Sequence, residues 1–194
     1  MNSFDPVSHT YVVDDRPAPG VTGILGDLIP GWKADPWYLD RGTQVHAAAA
    51  YIAMGRDFDY APEIEGQVQA GRRFFTEVKP PVLAVELQVY SSAYCYGGTL
   101  DLFSFIKGEQ CVVDYKSALT PAVPYQVAAY AIAYAETMRC AQPKYGLGVA
   151  LRDDGTYRMS EVYDLKRYKQ GWLALLTTYG IRRRCNIKTE EGDQ

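Results

Sequence analysis

No apolar run in the 194-residue chain approaches the ~18 consecutive residues that a membrane-spanning helix requires. The longest, 47–54 and 127–135, are about half that length or less. Residues 1–6 have neither the basic stretch nor the apolar stretch of a secretory leader. A cytoplasmic location without a membrane partner is therefore the expectation. Histidine occurs only twice, and the four cysteines, at 95, 111, 140 and 185, form no Cys-x-x-Cys pair. A zinc site is disfavoured on that count and reduced thiols are expected. There is no Gly-x-x-x-x-Gly-Lys-[Ser/Thr], so ATP is not hydrolysed by a P-loop. Repeats and low-complexity segments are missing too. With 47% hydrophobic and 22% charged residues, the composition excludes disorder, collagen and coiled coil. One domain spanning 1–194 is the expectation from length.

Charge is scarce overall, with a net value of −3, but it is unevenly spread. Residues 1–138 carry 9 basic against 16 acidic groups, and 139–188 carry 11 against 4. An acidic front and a basic C-terminal third suit a protein that gathers metal in one place and phosphate in another. Charge alone favours a solvated face.

Periodicity and punctuation predict a short strand at 9–13, then a turn-rich stretch over 14–20 with two prolines. A helix follows over 21–29, stopped by Pro30-Gly31. Helical patterns cover 35–54 and 64–78. Strands are expected at 82–90, 98–106 and 111–115, with a tight turn over 107–109. A helix over 124–138 has proline in its first turn. Strands at 145–151 and 156–163 flank Asp153-Asp154-Gly155, a hairpin signal. Asp164 is placed to cap a last helix ending near 179. The parts are thus a helical section (21–78), a core (82–138), and a hairpin with a basic helix (145–184). That order predicts α/β architecture: a central mixed β-sheet flanked by helices.

Three acid-x-lysine matches occur, at 77–79, 114–116 and 164–166. Glu77 closes a helix and Asp164 reads as a cap. Asp114 differs because it ends the apolar strand Cys111-Val112-Val113, with Lys116 on the same side of the strand by alternation. Burying such a pair is costly unless it binds something. A hairpin with the preceding strand brings Asp101 near Asp114, and two close carboxylates call for a cation. Gln126 and Tyr130 share one helix face. His46 opens an alanine-rich helix.

In order, Arg41-Gly42-Thr43-x-x-His46, Gly98-x-x-Asp101, Asp114-x-Lys116 and Gln126-x-x-x-Tyr130 resemble the PD-(D/E)XK nuclease superfamily. The resemblance is to its RecB-like branch, which includes phage exonucleases. His9-Thr10-Tyr11 followed by Pro19-Gly20-Val21-Thr22 is similar to phage-type members, and the likeness runs from 9 to 134. It implies a single restriction-endonuclease-like domain. It further implies a Mg²⁺- or Mn²⁺-dependent deoxyribonuclease, an exonuclease by preference, working in recombination, repair or replication and plausibly phage-encoded. Asp101 and Asp114 would be metal ligands, with the Tyr115 carbonyl as a further oxygen and His46 as the branch's extra histidine. Lys116 would position or activate the attacking water. Gln126 and Tyr130 would support the site and contact DNA. Glu86 is either a further acid of the site or a half-exposed strand residue. Arg41, Lys166, Arg167, Lys169, Arg182, Arg183 and Arg184 are candidate phosphate contacts, and a strand-annealing or single-strand-binding protein is a natural partner. Iron–sulfur members place one cysteine before the histidine motif and three near the C-terminus. Here none precedes His46 and only Cys140 and Cys185 follow the last motif, so no cluster is expected. The alternatives are a DNA-binding or assembly module without catalysis, and a structure-specific endonuclease.

Overall fold

A computed structural model describes residues 1–5, 8, 10–29, 36–106 and 108–186. His9, Pro30, Gly31, Asp35 and Lys107, which entered the sequence expectations, lie outside the described residues. Among those described, no helix is long and apolar enough to cross a membrane.

The chain opens with a small antiparallel meander, β1 (Ser3–Asp5), β2 (Thr10–Val13) and β3 (Arg16–Ala18). Only the middle strand is foreseen by the sequence. The stretch expected to be mere turn contains β3, which tolerates Pro17 because it is an edge strand and owes no amide to a further neighbour. The meander docks on the main sheet through Tyr11, whose hydroxyl lies 3.0 Å from Thr99 Oγ1, and through the Gly97 amide, which donates to the Pro19 carbonyl.

Helices α1 (Val21–Leu28), α2 (Pro36–Ala53) and α3 (Glu65–Val78) follow, the last entered through a 3-10 turn at Pro62–Ile64. The main sheet has the order β4 (Val82–Ser91), β5 (Tyr96–Ile106), β6 (Glu109–Lys116), β7 (Tyr145–Leu151) and β8 (Tyr157–Met159), with β9 (Tyr163–Asp164) also on β7. β6 and β7 run parallel, joined by α4 (Val123–Met138), and the other pairs are antiparallel. Parallel neighbours need such a crossover, whereas the β5–β6 connection is a tight turn at Gly108, φ +81°. The result is a mixed sheet with helices on both faces, as the element order predicts.

Two expectations are corrected here. The strand expected over 156–163 breaks at Ser160, whose amide donates to the Gly148 carbonyl while its hydroxyl accepts from the Gly148 amide. That exchange bends the chain and separates β8 from β9. The last helix, α5 (Leu165–Cys185), runs past the expected end near 179. Arg182 Nη1 donates to the Asp27 carbonyl of α1 at 2.8 Å and holds the extra turn down. Asp164 caps this helix as expected, its carboxylate accepting from the Lys166 amide.

Two cores result. One lies under α2 and α3 and includes Ala49, Phe74, Leu102, Val113, Tyr115 and Leu147. The other joins α1, α4 and α5 to the opposite face, with Trp172 edge-on to Tyr96 at 5.2 Å. α4 is sandwiched, with eleven of its sixteen residues buried. This explains why it is apolar all round and alanine-rich. Glycines permit the approach: a Cβ on Gly98 would stand 2.5 Å from the Tyr130 ring, and one on Gly171 would stand 2.4 Å from the Tyr125 ring. Gly98→Ala is expected to cost about 2 kcal/mol by overpacking, against about 1 kcal/mol for Asp164→Ala, which loses a cap. Thermal unfolding of the two variants checks the order. Equal melting temperatures would mean that Tyr130 is not pinned.

Candidate metal centre

α2 carries His46 one turn before Ala49, and Ala49 packs into the core beneath the sheet. His46 therefore faces the strands, where its Nδ1 lies 2.9 Å from Asp101 Oδ1. The second oxygen of Asp101 accepts the Tyr115 amide at 2.6 Å, crossing from β5 to β6. The Tyr115 ring stands edge-on to the imidazole at 6.4 Å, while its hydroxyl is buried without a hydrogen-bond partner.

Glu86 sits opposite Asp101, between the register pairs Val85–Leu102 and Leu87–Leu100. Its φ of +47° is left-handed, unusual for a residue with a Cβ inside a strand. The cause is visible in the packing on either side. Val85 and Leu102 belong to the core under α2 and α3, whereas Leu87 and Leu100 belong to the α1/α4/α5 core. Both strands exchange faces at this paired position. Such backbone costs on the order of 1–3 kcal/mol and clusters at functional sites. Of the two sequence alternatives for Glu86, the structure places it beside Asp101. One ligand atom each from His46, Glu86 and Asp101 lies within 4.8 Å of the other two. Among the described residues no other set of three or more histidine, cysteine or acidic side chains meets this closely.

Asp114 and Lys116 leave β6 on the α4 face, and Lys116 Nζ lies 2.7 Å from Asp114 Oδ2. Asp114 is fully buried, and its Oδ1 has no hydrogen-bond partner. It does not join the three-residue cluster. It is near enough for its charge to act on Asp101 and on the Tyr130 phenol. On α4, Gln126 Nε2 donates to the Tyr130 hydroxyl at 2.9 Å, and the pair is buried against the sheet beside Gly98.

Protonation follows from these surroundings. Burial pushes the Glu86 carboxyl up to about 7, and the Asp101 charge adds to the rise. Burial also raises Asp114, to about 6, because the Lys116 ammonium offsets only part of it. Burial would raise Asp101 as well, but the His46 charge and hydrogen bond, Lys116 and the Tyr115 amide outweigh it and hold this carboxyl below its ordinary value. For His46, burial disfavours the cation, yet the Asp101 charge and hydrogen bond overcome it and raise the imidazole.

Two carboxylates and an imidazole suit a hard or borderline divalent cation such as Mg²⁺ or Mn²⁺. Glu86 Oε1 is buried with no hydrogen-bond partner, as expected of a side chain shaped to hold something else. The donor set of His46, Glu86 and Asp101 therefore fits such an ion.

The basic residues singled out in the sequence do not gather here. Arg41 Nη2 donates to Asp153 Oδ1 at 2.6 Å in the β7–β8 turn, an oxygen that Gln67 also contacts. Asp164 pairs with Tyr145 and the Leu165 amide donates to the Lys144 carbonyl. Lys166 and Arg167 thus lie at the start of β7, whereas its residue in register with Lys116 is Ala150, near the other end. Lys169 lies on the same opening turns of α5. Arg182 is tied to α1, Arg183 lies over the Tyr179 ring at 5.8 Å, and Arg184 donates to the Gly180 carbonyl.

No protein-family model and no curated protein matches the chain. Among solved structures it is similar to an alkaline exonuclease, LHK-Exo, from Laribacter hongkongensis, and to LHK-Exo in complex with dAMP. The complex gives a TM-score of 0.41 at 13% identity, and the other structure 0.39 at 12%. Each match covers 87% of this chain and 93% of the other.

The protonation pattern predicts how metal-free protein responds to pH. Glu86 and Asp114 hold more protons folded than unfolded, from about pH 4 up to their raised values near 7 and 6. His46 does so above its ordinary value. All three therefore make stability fall as pH rises. Asp101 acts oppositely, but only in acid, below its ordinary range. With EDTA the melting temperature should drop between pH 5 and pH 8, and Mn²⁺ should restore more at pH 8, where fewer protons must leave its ligands. A flat or rising curve in EDTA would contradict the arrangement described.

Proposed function

We propose that the chain is a divalent-metal-dependent deoxyribonuclease acting on DNA ends. The observation that carries this is the meeting of His46, Glu86 and Asp101 beside the Asp114–Lys116 pair on the adjacent strand. A cluster of buried acids alone could be a cation store. Adding an ammonium at the same strand end gives the two charges that phosphodiester hydrolysis needs.

A Mg²⁺ or Mn²⁺ ion held there would supply Lewis acidity toward a phosphate oxygen and toward water. The chain's own groups divide the remaining work. Asp101 is fixed from both sides, by His46 and by the Tyr115 amide, so its oxygens stay aimed without reorganisation. Asp114 holds the Lys116 ammonium at one position. From there Lys116 orients an incoming water and stabilises negative charge growing on the phosphoryl oxygens. Glu86, beside Asp101 across the strand pair, would hold the ion together with it. Gln126 and Tyr130 stiffen the wall behind Asp114, and because both are buried they support the site without the DNA contact expected from the sequence. The wider setting proposed is DNA recombination, repair or replication, with a strand-annealing or single-strand-binding protein as a natural partner.

The test is degradation of end-labelled linear DNA beside a closed circle, with Mg²⁺, with Mn²⁺ and with EDTA. Loss of the linear form alone, only with metal, is the expected result. Cleavage of both forms would make the protein an endonuclease. No cleavage with either metal would leave a DNA-binding or assembly module. Lys116→Ala and Glu86→Gln should each lower the rate at least ~100-fold, the usual scale for losing such a group. Lys116→Ala should also destabilise the fold by about 3 kcal/mol at pH 8, because it strands a buried carboxylate. The cost should be smaller at pH 5, where Asp114 is protonated.

A further inference from the structure

On β6, β7 and β8 the two faces of the sheet are cleanly sorted. Val113, Tyr115, Leu147, Val149 and Leu151 all enter the core under α2 and α3, and the Tyr157 ring stands against Phe74 of α3 at 5.5 Å. Alternation then sets Lys116, Ala150 and Arg158 on the α4 face. These three are in register, Lys116 with Ala150 and Ala150 with Arg158, so they form one row across three strands. Two inter-strand spacings separate the backbones of Lys116 and Arg158 by about 10 Å. Ala150, which is buried, is the residue between them in the row.

Arg158 is exposed and makes no hydrogen bond or ion pair with another described residue. The acids of the adjoining turn have other partners: Asp153 is taken by Arg41 and Gln67, on the α2/α3 side, and Asp154 accepts from the amide and hydroxyl of Thr156. A planar guanidinium standing open in the same row as the Asp114–Lys116 pair has the chemistry of a phosphate fork.

We infer that Arg158 binds a backbone phosphate of the DNA strand flanking the bond to be cut, an assignment that rests on the proposed nuclease function. The contact is to phosphate and carries no base preference. It would hold the strand across the open edge of the sheet while Lys116 addresses the scissile group. Lys166 and Arg167 are placed elsewhere, since the first turn of α5 starts at the other end of β7.

The test compares wild type, Arg158→Ala and Arg158→Lys on a short labelled duplex. Binding is measured in EDTA over a salt series, and cleavage with Mg²⁺. Arg158→Ala should raise KM about tenfold with kcat within about twofold. It should also make the slope of log affinity against log salt shallower by about 0.9, the loss of one phosphate contact. Arg158→Lys should restore the slope. If wild type cleaves DNA and Arg158→Ala leaves KM and slope unchanged, the inference fails and the nuclease function stands. If wild type binds DNA without cleaving it and the Ala variant still flattens the slope, the catalytic function fails and the phosphate contact stands. Failure of wild type to bind DNA at all would overturn both.

Discussion

Three carboxylates crowd three adjacent strands where little water reaches them, and only two side chains near them can carry positive charge. Glu86, Asp101 and Asp114 repel one another, and His46 and Lys116 do not fully balance them. The deficit explains several otherwise separate features. It adds to the burial that raises two of the three acids, and it orders the imidazole against the third. It leaves Glu86 Oε1 and Asp114 Oδ1 without hydrogen-bond partners. In a protein selected only for stability, apolar side chains of similar size would serve better at these positions. A divalent cation held between them would relieve that repulsion.

The rest of the molecule is arranged to hold that cluster still. Glu86 and Asp101 sit where β4 and β5 exchange faces, so neither core encloses them and both can turn toward His46. The left-handed backbone at Glu86 is the local cost of that exchange. Rigidity comes from α4, which is clamped between the sheet and α5. Its alanines and the opposing glycines bring two backbones close, and close backbones leave Tyr130 and Gln126 little freedom. Shape complementarity at α4 and electrostatic order at the site are therefore linked through Gly98 and Tyr130.

Residue type and short-range spacing made much of this legible. Asp114-x-Lys116 could be singled out because an apolar strand precedes it, and His46 and Asp101 because they stand in order with it. The long helices and the hairpin at Gly155 announced themselves through periodicity and turn chemistry. What escaped was long-range or conformational. β1 and β3 are too short, and β3 too rich in proline, to show a period. Glu86 was ambiguous because Val85, Leu87 and Val89 alternate as in an ordinary half-exposed strand. Nothing in the letters reveals a φ of +47°. The basic C-terminal third was visible as composition, but where its charges point depends on register. Ser160 breaks one expected strand into two, so the direction of Arg158 could not be read beforehand.

Sheet polarity explains why the chemistry lies at this end. β6 runs parallel to β7 and antiparallel to β5. The carboxyl ends of the parallel pair and the amino-terminal half of β5 thus meet on one side, where Asp101, Asp114 and Lys116 converge. The crossover to α4 leaves from that same end, and Leu119 packs back over Gly148 of β7. Open α/β sheets commonly place ligands outside the carboxyl ends of their strands. The β5–β6 turn and the start of α5 lie at the opposite end. The acid-x-lysine pair at 164–166 falls at that opposite end, where Asp164 has a helix amide to cap. Two copies of one short motif, at 114–116 and 164–166, are separated in role by which end of β7 each adjoins.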